Sequence, residues 1–536
     1  MGEESVPATS ESAGPTNRLE PSTISVSPNW VADPSGPTLF QHVTAYARSQ
    51  AGARYLPPDT IVTRTVSGLT YGQYRGIRFR SEDAIWRDDA PFELQLFHPG
   101  GGNDTPVRIH LVEDGASRPL PFDASLFDYG DELDEVDTAI PPEAGYAGLR
   151  VLFPMNDAVR MDEVVSFLGA SYFRLLGPGH VYGLSSRGLA VDVARPEGEE
   201  FPDFREFWLV RPEEVAKSLE LYAFLDGPSV TGAYRFELTP GGAARPTVLA
   251  VEARLFARAD VGKVGVAPLT SMYLHGTFHP GRDDDFRPRV HDSEGLLMNT
   301  GTGEWIWRPL TNGVGLRLTS LRDEGPAGFG LVQRARDFGG YMDLEALYHR
   351  RPSQWVSIDE PWGAGGVELL EIPTTTEFND NIVASWVPNE PFRAGQERVY
   401  RYRLITFDDR LESLGVSGAA VRGQTLAQVV RTRIGWDALP GQANPPPRSQ
   451  RRVVLDFEGG GLAGLSGGTE VLAIAATTAG EISDVLVHVL PGGGRRATFS
   501  LAPDGDRGAD MRVQLVVDGE VVSETWSYLW EPARAR

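Results

Sequence analysis

The sequence predicts an all-β protein: a large antiparallel sandwich followed by a smaller, immunoglobulin-like one. Three observations carry that reading. Short runs alternate apolar and polar residues, as in YGQYRGIRFR (71–80), PFELQLFH (91–98), PVRIHLV (106–112) and AYRFEL (233–238). Gly and Pro are abundant, 60 and 40 of 536 residues, and they cluster between the runs, where turns need them. Helical patterns are few and do not alternate with strands, which argues against a parallel α/β sheet.

Taken in order, residues 1–36 lack a basic start and an apolar core and read as a disordered polar leader, the remnant left after a signal is removed. In 38–50, Phe40, Val43 and Ala47 fall at helical spacing, and Pro57 and Pro58 end the pattern. From 61 to 407 the pattern is β, with helices expected only at MDEVVSFLGA (161–170) and YMDLEALYHR (341–350). Composition turns to Pro, Gly and polar residues near 391–395 and again in GQANPPPR (441–448), with a strand at 399–407 and a short helix expected at 425–435. The tail then shows RRVVLDF, EVLAIAAT, DVLVHVL, ATFSLA, MRVQLVVDG and TWSYLW, short strands at the spacing of an immunoglobulin-like sandwich. The expected division is therefore a leader over 1–36, a large sandwich over 37–410, a linker over 411–450 and a small sandwich over 451–536.

A net charge of -23 repels phosphate backbones and anionic lipid, so nucleic acid is not an expected partner, whereas a neutral polymer is compatible. Without cysteine there are no disulfides, thiolate metal sites or Cys nucleophiles. No apolar run is long enough to span a bilayer, so the chain is not expected to be membrane-embedded. The nine His show no metal spacing, and the acidic run 283–285 lacks the glycine and distal glutamate of a calcium loop and reads as a solvated loop, so neither a metal nor a cofactor is expected. G-x-S-x-G is absent, and GPGHVYG (177–183) lacks the Lys-Ser/Thr end of a phosphate loop.

The stretch FRPRVHDSEGLLMNTGTGEWIWRP (286–309) gathers His291, Asp292, Glu304, Trp305, Trp307 and Arg308. Acids, indole faces and a fixed cation suit a sugar cleft: apolar sugar faces stack on rings, and carboxylates cleave glycosidic bonds. The same residues also fit a strand–turn–strand inside a sandwich. Asp380, in EIPTTTEFNDNIVASW (371–386), is the second acid, at a polar turn between β-like runs, with Glu377 and Glu371 nearby. Aromatic pieces such as QWVSIDEPWG (354–363), with Trp355 and Trp362, serve equally as core.

Many ordered blocks, among them PFELQLFHPG, FLGASYFR, YGLSSRGLA, DGPSVTGAYRF, RPRVHDSEGLLM, GTGEWIWRPL, DLEALYHRRPSQWV and NDNIVASWVP, resemble the periplasmic glucan biosynthesis proteins of the OpgG/OpgD (MdoG/MdoD) family. The resemblance runs from about 40 to 407 and more thinly through the tail. It implies a galactose-mutarotase-like sandwich joined to an immunoglobulin-like one, a periplasmic location, and action on osmoregulated glucans with β-1,2-linked backbones. Some relatives are inverting β-1,2-glucanases, others transglycosylases, and members were long treated as non-catalytic factors working with a membrane glucan synthase; a homodimer is also within the family's range. By the match, Asp380 of NDN is the general acid and Asp292 of HDS the general base, with protons moved through a sugar hydroxyl or water. The same match makes Tyr348, Arg351 and Glu377 cleft residues; apart from it, Trp305, Trp307, Trp355 and Trp362 are expected as the rings that form sugar subsites. The loops GGNDT after HPG and HGTFHPGRDDD depart from the family's usual sequence, which puts product length and transfer preference in play.

Overall fold

The computed structural model describes residues 27–58, 66, 68–130, 133, 140–243, 245–278, 284–409, 420–421 and 424–532. Two large sheets face one another. The first has ten strands, running from Glu93–Phe97 through Gly148–Phe153, Asp162–Leu168, Tyr172–Leu175 and Ser185–Arg187 to Val264–Ser271, then Ile382–Pro388, Gly365–Glu371 and Arg317–Asp323, with Leu189–Val191 also paired to Val264–Ser271. The second has fifteen strands, and its long centre is Val230–Thr239, Val248–Ala257 and Glu397–Phe407 in antiparallel register. Residues at every second position of both sheets meet in one apolar core. Phe167, Phe173, Phe204, Phe207, Tyr234 and Phe236 interlock there edge to face and face to face.

The outer face of the second sheet is covered in part by a helix, Leu39–Ala51. Thr38 and Gln41 close a capping box at its start. Val43, Tyr46 and Ala47 pack on Trp208, Phe224 and Phe256, as the spacing predicts, and the Tyr46 hydroxyl donates to buried Glu206 at 2.9 Å. The disordered leader was expected to reach residue 36. Residues 1–26 lie outside the described residues, but 27–36 are docked: Val31 bridges Ala116, and the Trp208 indole donates to the Pro28 carbonyl.

The tail is a second sandwich fused to the first. Trp305–Pro309 pairs in parallel with Thr525–Trp530, so Ala509–Val517 and Leu472–Thr477 continue the fifteen-stranded sheet. The opposing sheet has four strands: Gln428–Trp436, Arg451–Glu458, Arg495–Ala502 and Glu481–Val489.

Four local expectations are corrected. MDEVVSFLGA forms the strand Asp162–Leu168: Val164, Val165 and Phe167 are buried, and the stretch pairs on both sides. The helix expected at 425–435 is the strand Gln428–Trp436; Val429, Val430, Thr432 and Ile434 are β-branched, and Arg451–Glu458 supplies its partner. YMDLEALYHR has only a 3₁₀ turn at Tyr348–Arg350, because Asp343 caps the amides of Glu345 and Ala346 and Met342 and Leu347 take positive φ. Conversely, YGQYRGIRFR opens with the short helix Tyr71–Gly76, set by a Thr70–Gln73 capping box that overrides the alternation.

Candidate active site

One strand end assembles the site. Val264–Ser271 runs out at Met272, and three consecutive backbone positions there hold both aspartate segments. The Asn381 amide donates to Ser271 O at 3.0 Å, the Asp292 amide to Met272 O at 2.8 Å, and the Tyr273 amide to Asn381 Oδ1 at 2.7 Å. Asn381 also donates through Nδ2 to Tyr273 O and Ile372 O, which fixes the NDN turn between two strands. The asparagine after Asp380 is therefore the anchor that presents it.

Asp292 is buried, 3% exposed, and the Arg351 guanidinium donates to its Oδ1. Burial pushes its carboxyl up to about 6, against the pull of Arg351, and the charge of Asp380 pushes the same way. Asp380 is reached by solvent, yet protein crowds it closely enough that desolvation raises its carboxyl too, opposed by Arg174 and Arg351. The two acids thus feel one another and share two cations, although they lie far apart in the chain.

Arg351 sits 4.1 Å above the Tyr348 ring. The Tyr348 hydroxyl donates to Glu377 Oε2 at 2.6 Å, and Arg287 donates to the same oxygen at 2.8 Å. Arg287 also bonds Asp285 through two nitrogens and Asp343 through a third, so its one guanidinium joins three segments. The structure therefore brings together Asp292, Asp380, Arg351, Tyr348 and Glu377.

Beside this cluster opens a cleft of about 1030 Å³. Arg287 and Glu377 line it with Asp285 and Asp343, while Phe286, Val314, Leu344 and Phe378 also border it. Phe286 is 73% and Phe378 89% exposed, so both ring faces are free. Neither aspartate lines this volume: Asp292 is linked to it through Arg351, Tyr348 and Glu377, and Asp380 follows the lining residues Glu377 and Phe378 in the chain. Phe286, Phe378, Arg287, Asp343 and Arg174 were not singled out from the sequence; Phe378 lies two residues before Asp380, a proximity that could have marked it. Asp285, read as part of a solvated run, is bonded by Arg287 and by His275.

The tryptophans go elsewhere. Trp305 stacks on Trp355 at 5.3 Å, and both are buried with Trp307 in the core shared with the tail. Trp362 packs against Trp386, Tyr400 and Tyr402. None of the four borders the cleft, which corrects their expected role as sugar platforms: strand register aims Trp305, Trp307 and Trp355 into packing, and Trp362, in the loop between two strands, rests on neighbouring rings. Glu371 is buried and bonded by Thr311, and Glu304 accepts from Thr525 and Arg512 of the tail, so neither serves the cleft. His291 stacks flat on Tyr273, and burial pushes its imidazole down to about 3, leaving it neutral. Among the described residues, no group of His, Asp and Glu could hold a metal ion, and no helix is long and apolar enough to cross a membrane.

Two raised carboxyls that face the same two arginines, with a guanidinium bonded to one of them, are groups able to give and take a proton. Residues 39–530 match the family model described as "Periplasmic glucan biosynthesis protein, MdoG". The chain is 44% identical over 495 residues to Glucans biosynthesis protein G of Ralstonia nicotianae, covering 91% of this chain and 95% of that protein. Among solved structures, a GH36 α-galactosidase, AgaA, from Geobacillus stearothermophilus is similar at 9% identity and TM-score 0.25, over 49% of this chain and 40% of that one. The Slr1438 protein of Synechocystis is similar at 10% identity and TM-score 0.13, over 56% and 96%. Neither structural likeness is strong enough to bear on the fold. The match to the family model and to its curated relative spans nearly the whole chain: the protein belongs to the MdoG family of periplasmic glucan biosynthesis proteins.

Proposed function

We propose that the protein is a periplasmic enzyme that cleaves β-1,2-glucan with inversion, in the making of osmoregulated periplasmic glucans. The observation that carries this is the pairing of Asp292 and Asp380: two acids brought to one strand end, each raised by burial and both facing Arg174 and Arg351. Such a pair titrates as a unit, and the guanidinium decides how it shares its charge. Arg351 bonds Asp292 directly and orients its carboxylate, and Asp292 acts as general base. Asp380, the solvent-reached member of the pair, acts as general acid toward the leaving oxygen. Tyr348 and Glu377 bind the sugar nearest the bond, and the exposed rings of Phe286 and Phe378 offer the stacking faces that the buried tryptophans do not. Water as acceptor gives hydrolysis; a sugar hydroxyl lodged in the wide cleft gives transglycosylation. A non-catalytic glucan-binding protein serving a membrane synthase would need no raised acid pair.

The test is incubation with linear β-1,2-glucan and analysis of the products. Shorter linear chains are expected. Cyclic or branched products would move the reading to transfer, and unchanged glucan that nevertheless binds would leave only a scaffold.

A further inference from the structure

Three long polar side chains follow one another where Gly328–Val332 leaves the sheet, and each reaches a different part of the molecule. Gln333 is fully buried; its side-chain amide Nε2 donates to the carbonyls of His291 and Tyr348, at 2.9 and 3.3 Å. Arg334 lies 3.6 Å above the Trp307 ring and bonds the tail through Val429 O at 2.7 Å and Glu524 at 2.6 Å. Arg336 donates to the carbonyl of Arg351, to Ser353 Oγ at 3.0 Å and to the carbonyl of Asp408 at 2.6 Å. Asp408 lies just after Glu397–Phe407, where the chain leaves the large sandwich for the tail. Ser353 Oγ donates to that same carbonyl.

The hydrogen-bond partners of the Arg336 guanidinium are backbone carbonyls and a hydroxyl, although the charges of Asp408, Asp409 and Glu294 also reach it. A half-buried cation spent on carbonyl oxygens fixes backbone rather than neutralising charge. The backbone it fixes is that of Arg351. The opposite side of Arg351 is closed by the GPGHVYG segment, which has no phosphate-loop role. Arg350 donates to Gly179 O at 2.8 Å, and His180 Nε2 lies 3.0 Å from the Asp408 carboxylate. A Cβ on Gly183 would come within 2.9 Å of Arg351 Cβ, so glycine permits the close approach.

We propose that Arg336 is a positioning residue for the site: it ties the backbone of Arg351, and through Arg351 the carboxylate of Asp292, to the chain exit at Asp408, so that the docked tail sandwich helps set the site's geometry. This rests on the assignment of Asp292 as the base. The groups facing Asp292 are Arg351, Asp380, Arg174 and Tyr348. Of these, only Arg351 donates a hydrogen bond to it, so a shift of Arg351 withdraws that bond from the ionised form.

The experiment is Arg336→Gln, with Arg336→Lys as the conservative variant and Tyr46→Phe as a control that loosens the helix Leu39–Ala51. For Arg336→Gln, kcat on β-1,2-glucan should fall about tenfold or more with KM nearly unchanged. The acidic limb of its pH profile should move up by about half a pH unit, because Asp292 loses part of its cation. Arg336→Lys should recover part of both effects, and Tyr46→Phe should lower thermal stability with the profile unmoved. A profile and kcat unchanged in Arg336→Gln overturn the proposal. Hydrogen exchange gives a reading free of activity: faster exchange at the amides of Arg350, Arg351 and Ser353 in Arg336→Gln is expected, and unchanged exchange there overturns the proposal even if the wild-type protein leaves glucan intact, a result that by itself defeats only the enzymatic reading.

Discussion

Two buried aspartates, one in each sandwich, show how the same side chain is put to opposite uses. Asp456 of the tail is fully buried and accepts from Arg496 through two nitrogens, at 2.6 and 2.9 Å, and from Arg431 at 2.8 Å. Those arginines hold its carboxyl below the usual range despite desolvation. Asp292 is nearly as buried but accepts a hydrogen bond from Arg351 alone among the arginines facing it and has a second acid beside it, and burial wins. In the tail the charge is matched and adds stability; in the large sandwich it is under-matched and costs stability. That cost is what the proposed role of Asp292 as a base would account for.

The largest effect that could break this comparison is on turnover. Asp380→Asn and Asp292→Asn should each cut glucan cleavage by about a thousandfold or more while leaving glucan binding intact, measured by product release and calorimetry. On a glucoside whose leaving group needs no protonation, Asp380→Asn should regain turnover and Asp292→Asn should not; the reverse pattern exchanges their roles. Next is packing. Trp355→Ala should cost about 3–5 kcal/mol in denaturant unfolding, because it empties the Trp305–Trp355 stack at the junction with the tail.

The two aspartates should then part in sign. Asp456→Asn should lose about 1–2 kcal/mol at pH 7, a modest figure because both arginines are partly exposed. That loss should begin to shrink as pH falls below about 4, where the unfolded chain's carboxyl takes up a proton, and vanish only at still lower pH, where the folded protein's depressed carboxyl is neutralised too. Asp292→Asn should gain about 1–3 kcal/mol at pH 8, since the wild-type cost appears as pH rises through about 6 and is absent below about 4. Smallest is the rim: Phe378→Ala should change stability by no more than about 0.5 kcal/mol yet raise KM about three- to tenfold.

The sheet architecture was legible because its signals are local: strands such as Val230–Thr239 and Ala509–Val517 alternate cleanly, and the helix Leu39–Ala51 carries its own cap. Asp162–Leu168 and Gln428–Trp436 were misread because their neighbours in the sheet, not their own spacing, decide their state. The acids Asp292 and Asp380 were reached through resemblance in HDS and NDN, whereas composition left each open to a turn or packing role. The tryptophans misled because an indole suits a sugar face and a core equally, and only register separates them. Arg287 and Asp343 escaped notice because their meeting joins loops distant in the chain.

The most direct measurement is the anomeric configuration of the sugar first released from linear β-1,2-glucan, followed by proton NMR before mutarotation blurs it. Release of the α-anomer by the wild-type protein, lost in Asp380→Asn, is the expected result for an acid and a base acting on opposite sides of one bond. Release of the β-anomer would mean a covalent intermediate and contradict the roles given to Asp292 and Asp380.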